Sequence, residues 1–332
     1  MKKQFDYSYQ RIISMENLLD AWKEFVRGKR DRKDVQEFAF DFMENIIALH
    51  HDLIAKMYRH SPYEAFDIAD PKPRNIHKAS VRDRVLHRAL YRMLYPFFDR
   101  TFIADSYSCR QGKGTHKAIE QFRNFSYRVS ERQTKTVWVL QCDIRKFFAS
   151  IDQRILLRIV EEYIADQDII ALISEILGSF YTREKWIGLP LGNLTSQLFV
   201  NIYMNTFDQF VKHKLKAHYY IRYADDFVVL SSDQEWLQGL LPMMQEFLSS
   251  HLRLVMHPNK IFLRTVASGV DFLGWVHFLD HRVLRTTTKR RMMRRIVEHR
   301  DNNSVLQSYL GLLQHGNAKI LKRTVESRSY SL

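Results

Sequence analysis

Two adjacent carboxylates interrupt an apolar run. Tyr219-Tyr220-Ile221 precede Tyr223-Ala224-Asp225-Asp226, and Phe227-Val228-Val229-Leu230 follow. The aromatic and β-branched flanks predict two strands. Tyr219 to Ser231 therefore reads as a hairpin with Ala224-Asp225-Asp226 between its strands. Like charges this close repel, so one carboxyl pKa rises unless cations neutralise the pair. Mg²⁺ answers that demand, because it takes carboxylate and phosphate oxygens and keeps several waters. A plain polar turn would carry the same two residues.

Asp143 adds a third carboxylate. It ends a second β-type run, Thr136-Val137-Trp138-Val139-Leu140, which continues through Cys142. A strand-end Asp beside the Asp pair would clamp two metals ~3.5–4 Å apart, the arrangement that serves in-line displacement at phosphorus. As a strand terminator alone, Asp143 would need no partner.

Composition narrows the partner. Fifty-one Lys and Arg against 37 Asp and Glu leave a formal charge of +14. A surplus of that size points to a polyanion, nucleic acid first and an anionic membrane surface second. No run of 18 apolar residues predicts a membrane span. Two cysteines, Cys109 and Cys142, exclude a Cys-rich zinc site and fit a reducing compartment. The polar start, Met1-Lys2-Lys3-Gln4, lacks the apolar region of a signal peptide, so the expected address is the cytoplasm.

Hydrophobic spacing predicts helices over 8–60, broken at Arg27-Gly28-Lys29-Arg30, with one helix spanning Val35 to Tyr58. Residues 61–80 read as extended, punctuated by Pro62, Pro71 and Pro73. Helices follow over Arg82–Phe98, from Asp152 as N-cap, and over Leu198–Leu215 and Trp236–His251. Phe262-Leu263 and Val270–Phe278 read as strands, and the chain from Lys289 onward as basic helix. Short strands without regular βαβ alternation favour an α+β fold over a doubly wound sheet.

The motifs occur in a recognisable order. Leu140-Gln141-Cys142-Asp143-Ile144-Arg145-Lys146-Phe147-Phe148 resembles the first palm motif of reverse transcriptases, and Tyr223-Ala224-Asp225-Asp226 their Tyr-x-Asp-Asp motif. Between them, Gly188-Leu189-Pro190-Leu191-Gly192-Asn193-Leu194-Thr195-Ser196-Gln197 resembles the template-contacting motif. His257-Pro258-Asn259-Lys260 resembles the segment bearing the motif lysine, and Phe272-Leu273-Gly274-Trp275 the primer grip. The resemblance runs from about Pro71 to Trp275. It implies a right-hand polymerase fold with a helical N-terminal extension (1–60), fingers (61–137), palm with interleaved fingers elements (138–278) and a short basic helical thumb (279–332).

The resemblance also implies roles. Asp143, Asp225 and Asp226 would bind two Mg²⁺ ions, with the Ile144 carbonyl assisting. Phe148 falls where the family places its steric gate against a ribose 2′-hydroxyl, though a core Phe would read the same. Lys260 would protonate the leaving pyrophosphate or pair with it, unless it is a surface lysine. Arg74 and Arg84 resemble the fingers cations that hold the incoming triphosphate, with Lys78 and Arg82 beside them. A guanidinium fork suits phosphate oxygens. Phe272, Leu273, Gly274 and Trp275 would support the primer or fill the core. The implied partners are template RNA, the RNA–cDNA duplex and dNTPs. The basic run Arg285 to Arg295 would track that duplex through its phosphates or form a solvated helix face.

One departure is specific. Most reverse transcriptases carry Gln before the Gly of the template-contacting motif and Pro after its Ser. Here Leu191 precedes Gly192 and Gln197 follows Ser196. That change resembles the enzymes of diversity-generating retroelements, which copy a template-repeat RNA with errors opposite adenine for mutagenic retrohoming into a variable gene region. They work with an accessory variability-determinant protein, a pentameric helical barrel. Gln197 would equally serve as an ordinary residue of a helix start. A faithful retron-like or group II intron-like enzyme and a non-enzymatic RNA-binding scaffold are the alternatives. The residues after Trp275 leave no room for an RNase H, integrase or HNH domain, so template removal is expected from elsewhere.

Overall fold

The computed structural model describes residues 3–69, 73–299 and 302–330, with side chains to 325. Pro71 lies outside them. Four helices come first: α1 (Tyr9–Ile13), α2 (Met15–Phe25), α3 (Lys33–Phe40) and α4 (Phe42–Ile54). The helix expected over Val35–Tyr58 is thus two, broken where Asp41 leaves helical geometry (φ −105, ψ 42), and it stops at Ile54. The apolar spacing runs through the break, so periodicity alone cannot show it. A hairpin of β1 (Glu64–Ile68) and β2 (Arg74–Lys78) precedes α5 (Val81–Asp99). Next come α6 (Thr115–Val129), β3 (Trp138–Asp143), α7 (Phe147–Ser150), α8 (Gln153–Glu161), α9 (Gln167–Gly178) and α10 (Leu194–Gln209). The last part holds β4 (Tyr220–Tyr223), β5 (Asp226–Ser231), α11 (Gln234–Leu252), β6 (Phe262–Thr265), β7 (Val270–Phe272), β8 (Trp275–His277) and β9 (Arg282–Leu284). Helices α12 (Thr286–Glu298), α13 (Asn303–Leu313) and α14 (Lys319–Tyr330) follow.

The chain divides into two compact units. The first comprises Met1–Ala104, Ile144–Lys214 and Met244–Met256. Helix α5 is its spine, with Val85, Leu86, Ala89, Leu90 and Leu94 fully buried against α2 and α10. Arg92 of α5 reaches Asp20 (3.1 Å) and Glu24 of α2. As expected, Asp152 caps α8, accepting from the Arg154 and Ile155 amides at 2.9 and 3.1 Å. It satisfies two of the amides a helix start leaves unpaired.

The second unit comprises Asp105–Asp143, Leu215–Met243 and His257–Leu332. Its four-stranded sheet has the order β4-β5-β3-β6, antiparallel throughout. Helix α6 covers the sheet, burying Phe122, Phe125 and Val129 with Val139, Ile221 and Val228. A second sheet, β7-β8-β9, carries Trp275 into a core with Leu284, Met292, Ile296, Leu313 and Val325.

Candidate active site

The hairpin is tighter than the residues alone suggest. Only Ala224 and Asp225 join β4 to β5; Asp226 already belongs to β5 and pairs with Tyr223. Two residues suffice for a hairpin whose turn accepts a positive φ. Ala224 supplies it at φ 56, a conformation that strains any residue with a Cβ. On its other side β5 pairs with β3, and that register sets Asp226 directly opposite Asp143. Facing residues share one side of a sheet. Two strand ends and one turn therefore bring three carboxylates together.

Arg222 holds the turn from beneath. It is fully buried in β4. Its Nη1 donates to the Ala224 carbonyl at 3.1 Å and its Nη2 to Ser106 Oγ at 3.0 Å. Its amide donates to the Asp105 carbonyl, and the Tyr107 amide donates to its own carbonyl, both at 3.0 Å. Thr115, the first residue of α6, donates to the Tyr223 hydroxyl at 3.1 Å. Reading by residue type passes over Arg222. The available signal is a charge inside an otherwise apolar strand, where charges seldom stay unless paired.

The cluster is electrostatically loaded. Burial, then the charges of Asp225 and Asp143, push the Asp226 carboxyl up to about 7, against the opposing pull of Lys260. Lys260 Nζ stands 2.8 Å from Asp143 Oδ2, and the His257 amide donates to the Asp143 carbonyl at 2.7 Å. Both contacts come from the turn Pro258–Lys260 and its cap His257. Burial also pushes the Cys142 thiol up to about 12, which removes it as a nucleophile near neutral pH. Among the described residues, no three His, Cys, Asp or Glu side chains form a ready-made metal cage. Mg²⁺ does not require one: it is bound through one or two carboxylates together with waters and substrate phosphates. An all-oxygen donor set, with one carboxyl raised by burial and by its neighbours' negative charge, fits that ion.

The remaining expected residues fall into two groups. In the second unit, Phe272 and Trp275 close the β7–β8 hairpin as a facing pair, both about 1% exposed. Their side chains fill the core, and Leu273-Gly274 form the turn at φ 51 and 86. In the first unit, β2 docks on the segment 191–193. The His77 amide donates to the Leu191 carbonyl at 3.0 Å, and Asn193 Nδ2 to the His77 carbonyl at 2.8 Å. Gly192 sits at φ 98, and a Cβ there would meet Ile76 Cγ2 at 2.8 Å, so glycine is required on both counts. Gln197 lies in the first turn of α10. The Leu189 amide donates to the half-buried Phe148's carbonyl at 2.8 Å. Ile144 is buried directly after Asp143. Arg74 opens β2 and is exposed. Arg84 pairs with Asp34, which also takes Lys78 at 3.0 Å, while Arg82 pairs with Asp52 at 2.5 Å.

Comparison with known proteins gives the family. Residues 69–277 match the family model described as reverse transcriptase (RNA-dependent DNA polymerase). The chain is similar to Protein YkfC of Escherichia coli K12, with 24% identity over 253 residues covering 65% of this chain and 64% of YkfC. It is similar to the group II intron-encoded protein LtrA of Lactococcus lactis subsp. cremoris, with 22% identity covering 63% of this chain and 44% of LtrA. It thus spans less than two thirds of the length of either relative. A structure of telomerase from Candida albicans, in complex with a fragment of telomeric RNA, superimposes with a TM-score of 0.51 at 11% identity, over 70% of this chain and 50% of that one. That likeness shows the right-hand polymerase fold. With well over half of its residues inside the family model, the chain belongs to the reverse transcriptase family.

Proposed function

We propose that the chain is an RNA-directed DNA polymerase of the diversity-generating type. It would copy a template-repeat RNA into cDNA with errors opposite adenine. The observation that carries the polymerase reading is Asp143 facing Asp226 across β3 and β5, with Asp225 in the adjoining turn. On this reading residues 61–137 serve as fingers, 138–278 as palm and 279–332 as thumb, behind the extension 1–60. The primer 3′-hydroxyl oxygen bonds to the α-phosphorus of a dNTP as the bond to pyrophosphate breaks. Two Mg²⁺ held by Asp143, Asp225, Asp226 and the Ile144 carbonyl would supply the activation of that hydroxyl and neutralise the leaving group. Lys260 neutralises or protonates the departing pyrophosphate. Arg74 and Arg84 bind triphosphate oxygens, and for Arg84 this means exchanging Asp34 for substrate. The Phe148 ring excludes a ribose 2′-hydroxyl, and Leu273-Gly274 present the primer end.

Leu191, Gly192 and Gln197 carry the diversity-generating part. Glutamine beside a nascent base pair donates and accepts hydrogen bonds. Leu191 does neither, so no polar group is left unpaired when a wrong base enters, and discrimination falls. A pentameric helical barrel is the accessory partner this reading calls for. A second reading, a faithful group II intron-like enzyme, is favoured by the similarity to LtrA and to a putative COX1/OXI3 intron 1 protein of Saccharomyces cerevisiae, 24% identical over 178 residues. Primer extension on an adenine-containing RNA template, with every cDNA sequenced, separates the two. The diversity-generating reading predicts synthesis that Asp225→Ala abolishes, with errors concentrated opposite adenine and reduced by Leu191→Gln. Accurate synthesis selects the second reading, and no synthesis with partner and cognate RNA present removes both.

A further inference from the structure

The outward face of α6 carries cations that the reaction centre does not use. Its inner face is apolar: Phe122, Phe125 and Val129 are buried. Arg123, Asn124, Tyr127 and Arg128 point outward, at the spacing that places them on one helical stripe. Neither Arg123 nor Arg128 has an ion-pair partner among the described residues, whereas Arg82, Arg84, Arg92, Arg253, Arg282 and Arg285 all do. Tyr127 is 50% exposed.

These residues line concave space. One cavity of about 690 Å³ is walled by Arg123, Asn124, Tyr127, Arg128 and Gln133. A second, of about 400 Å³, adjoins it through Arg123, Leu279 and Asp280. Phe278, His281, Arg282, Gln314 and Asn317 are among the other residues that line the second. There the Phe278 and His281 rings stack at 4.7 Å. Among the described residues, Asp280 is the one carboxylate lining either cavity, and His281 Nδ1 already engages it at 2.7 Å. Helix α6 begins beside Tyr223, so Arg123 to Arg128 stand ~12–20 Å along its axis from the catalytic turn, at 1.5 Å per residue.

We propose that this trough binds a single strand of nucleic acid outside the reaction centre. Unpaired guanidinium groups for phosphates, an exposed aromatic face for a base and side-chain amides for base edges make up a single-strand platform. A duplex keeps its bases stacked on one another, so the exposed Tyr127 ring would find no base face to stack on. An acidic peptide would use the arginines but leave the Tyr127 face idle. The proposal goes beyond the polymerase reading and stands without it.

The test is fluorescence anisotropy of the full chain with a labelled, unprimed 12-nucleotide uridine RNA. A saturating, unlabelled RNA–DNA hybrid is present to fill the reaction centre. Wild type and Asp225→Ala should bind alike, which separates this surface from polymerase activity. Arg123→Glu with Arg128→Glu should weaken binding at least tenfold and flatten the log–log salt slope by about 1.4, two single-strand phosphates' worth. Tyr127→Ala should weaken it by roughly five- to tenfold or more, the loss of one stacked base. Arg123→Lys with Arg128→Lys should retain the salt slope. Unchanged RNA affinity and slope in a charge-reversed variant that melts like wild type would overturn the proposal. Lost binding of a polyglutamate peptide in that variant, with RNA binding intact, would overturn it in favour of an acidic protein partner.

Discussion

The second unit contains two hairpins with two-residue turns, and they differ in what holds the turn. The β7–β8 turn, Leu273-Gly274, uses glycine for its larger positive φ and is anchored by apolar side chains on both flanks. The β4–β5 turn, Ala224-Asp225, has no glycine. It keeps Ala224 at φ 56 by a hydrogen bond from a buried arginine. The first hairpin rests mainly on packing, with one hydrogen bond to its turn, from the Arg285 amide to the Gly274 carbonyl at 3.1 Å. The second rests on a directional contact and carries the carboxylates. Backbone strain of this kind persists only where surrounding structure imposes it, and it collects at functional sites.

Exchanging what each hairpin depends on should separate stability from catalysis. Trp275→Ala empties a core position and should cost about 3–5 kcal/mol of unfolding free energy in denaturant titrations. What protein remains folded should keep its turnover per folded molecule. Arg222→Met removes the contact to the Ala224 carbonyl with similar side-chain volume. Steady-state kinetics should show kcat lowered by about a hundredfold with KM for dNTP little changed, since a misplaced catalytic group costs about that much. Arg222→Lys, which keeps one donor, should recover part of it. Equal losses of stability and turnover in both variants would erase the distinction.

Acid should act on the packed hairpin. His277 on β8 is 2% exposed, and its Nε2 meets the Phe272 carbonyl at 3.3 Å. Burial lowers its pKa to about 4. A histidine shifted down stays neutral when folded while the unfolded chain takes up a proton. Stability is therefore complete above about 6.5 and is lost as pH falls towards 4. Between pH 7 and pH 5 this group should remove about 2 kcal/mol. Comparing wild type with His277→Gln isolates it from Asp226, whose raised pKa has the opposite slope.

The smallest effects come from the turns themselves. Gly274→Ala should destabilise by about 1 kcal/mol, because φ 86 disfavours a Cβ. Ala224→Gly should leave stability unchanged or raise it by up to ~1 kcal/mol while lowering kcat, because the turn gains freedom it must lose again in the transition state. Thermal melts and extension rates on both variants measure the pair.

The sequence made the carboxylates legible because aromatic and β-branched flanks mark strands and because charge inside them stands out. The right-hand fold followed from motif order. Register did not: strand pairing is a long-range choice, so the facing of Asp143 and Asp226, and Asp226's place in β5, appear only in three dimensions. Strand β9 is three residues long and sits against basic sequence, too short to carry a period. Arg222 reads as a surface residue until Ser106, more than a hundred residues earlier in the chain, arrives beside it. The Asp34 contacts of Arg84 and Lys78 join distant segments and leave no local trace.

The most direct measurement is single-turnover extension of a DNA primer on an RNA template by wild type and Asp143→Asn. Asparagine keeps the size of the side chain and removes the charge that faces Asp226. The account predicts synthesis by wild type and a loss of at least a thousandfold in Asp143→Asn, with primer–template affinity and melting temperature unchanged. Extension by Asp143→Asn at the wild-type rate would contradict it.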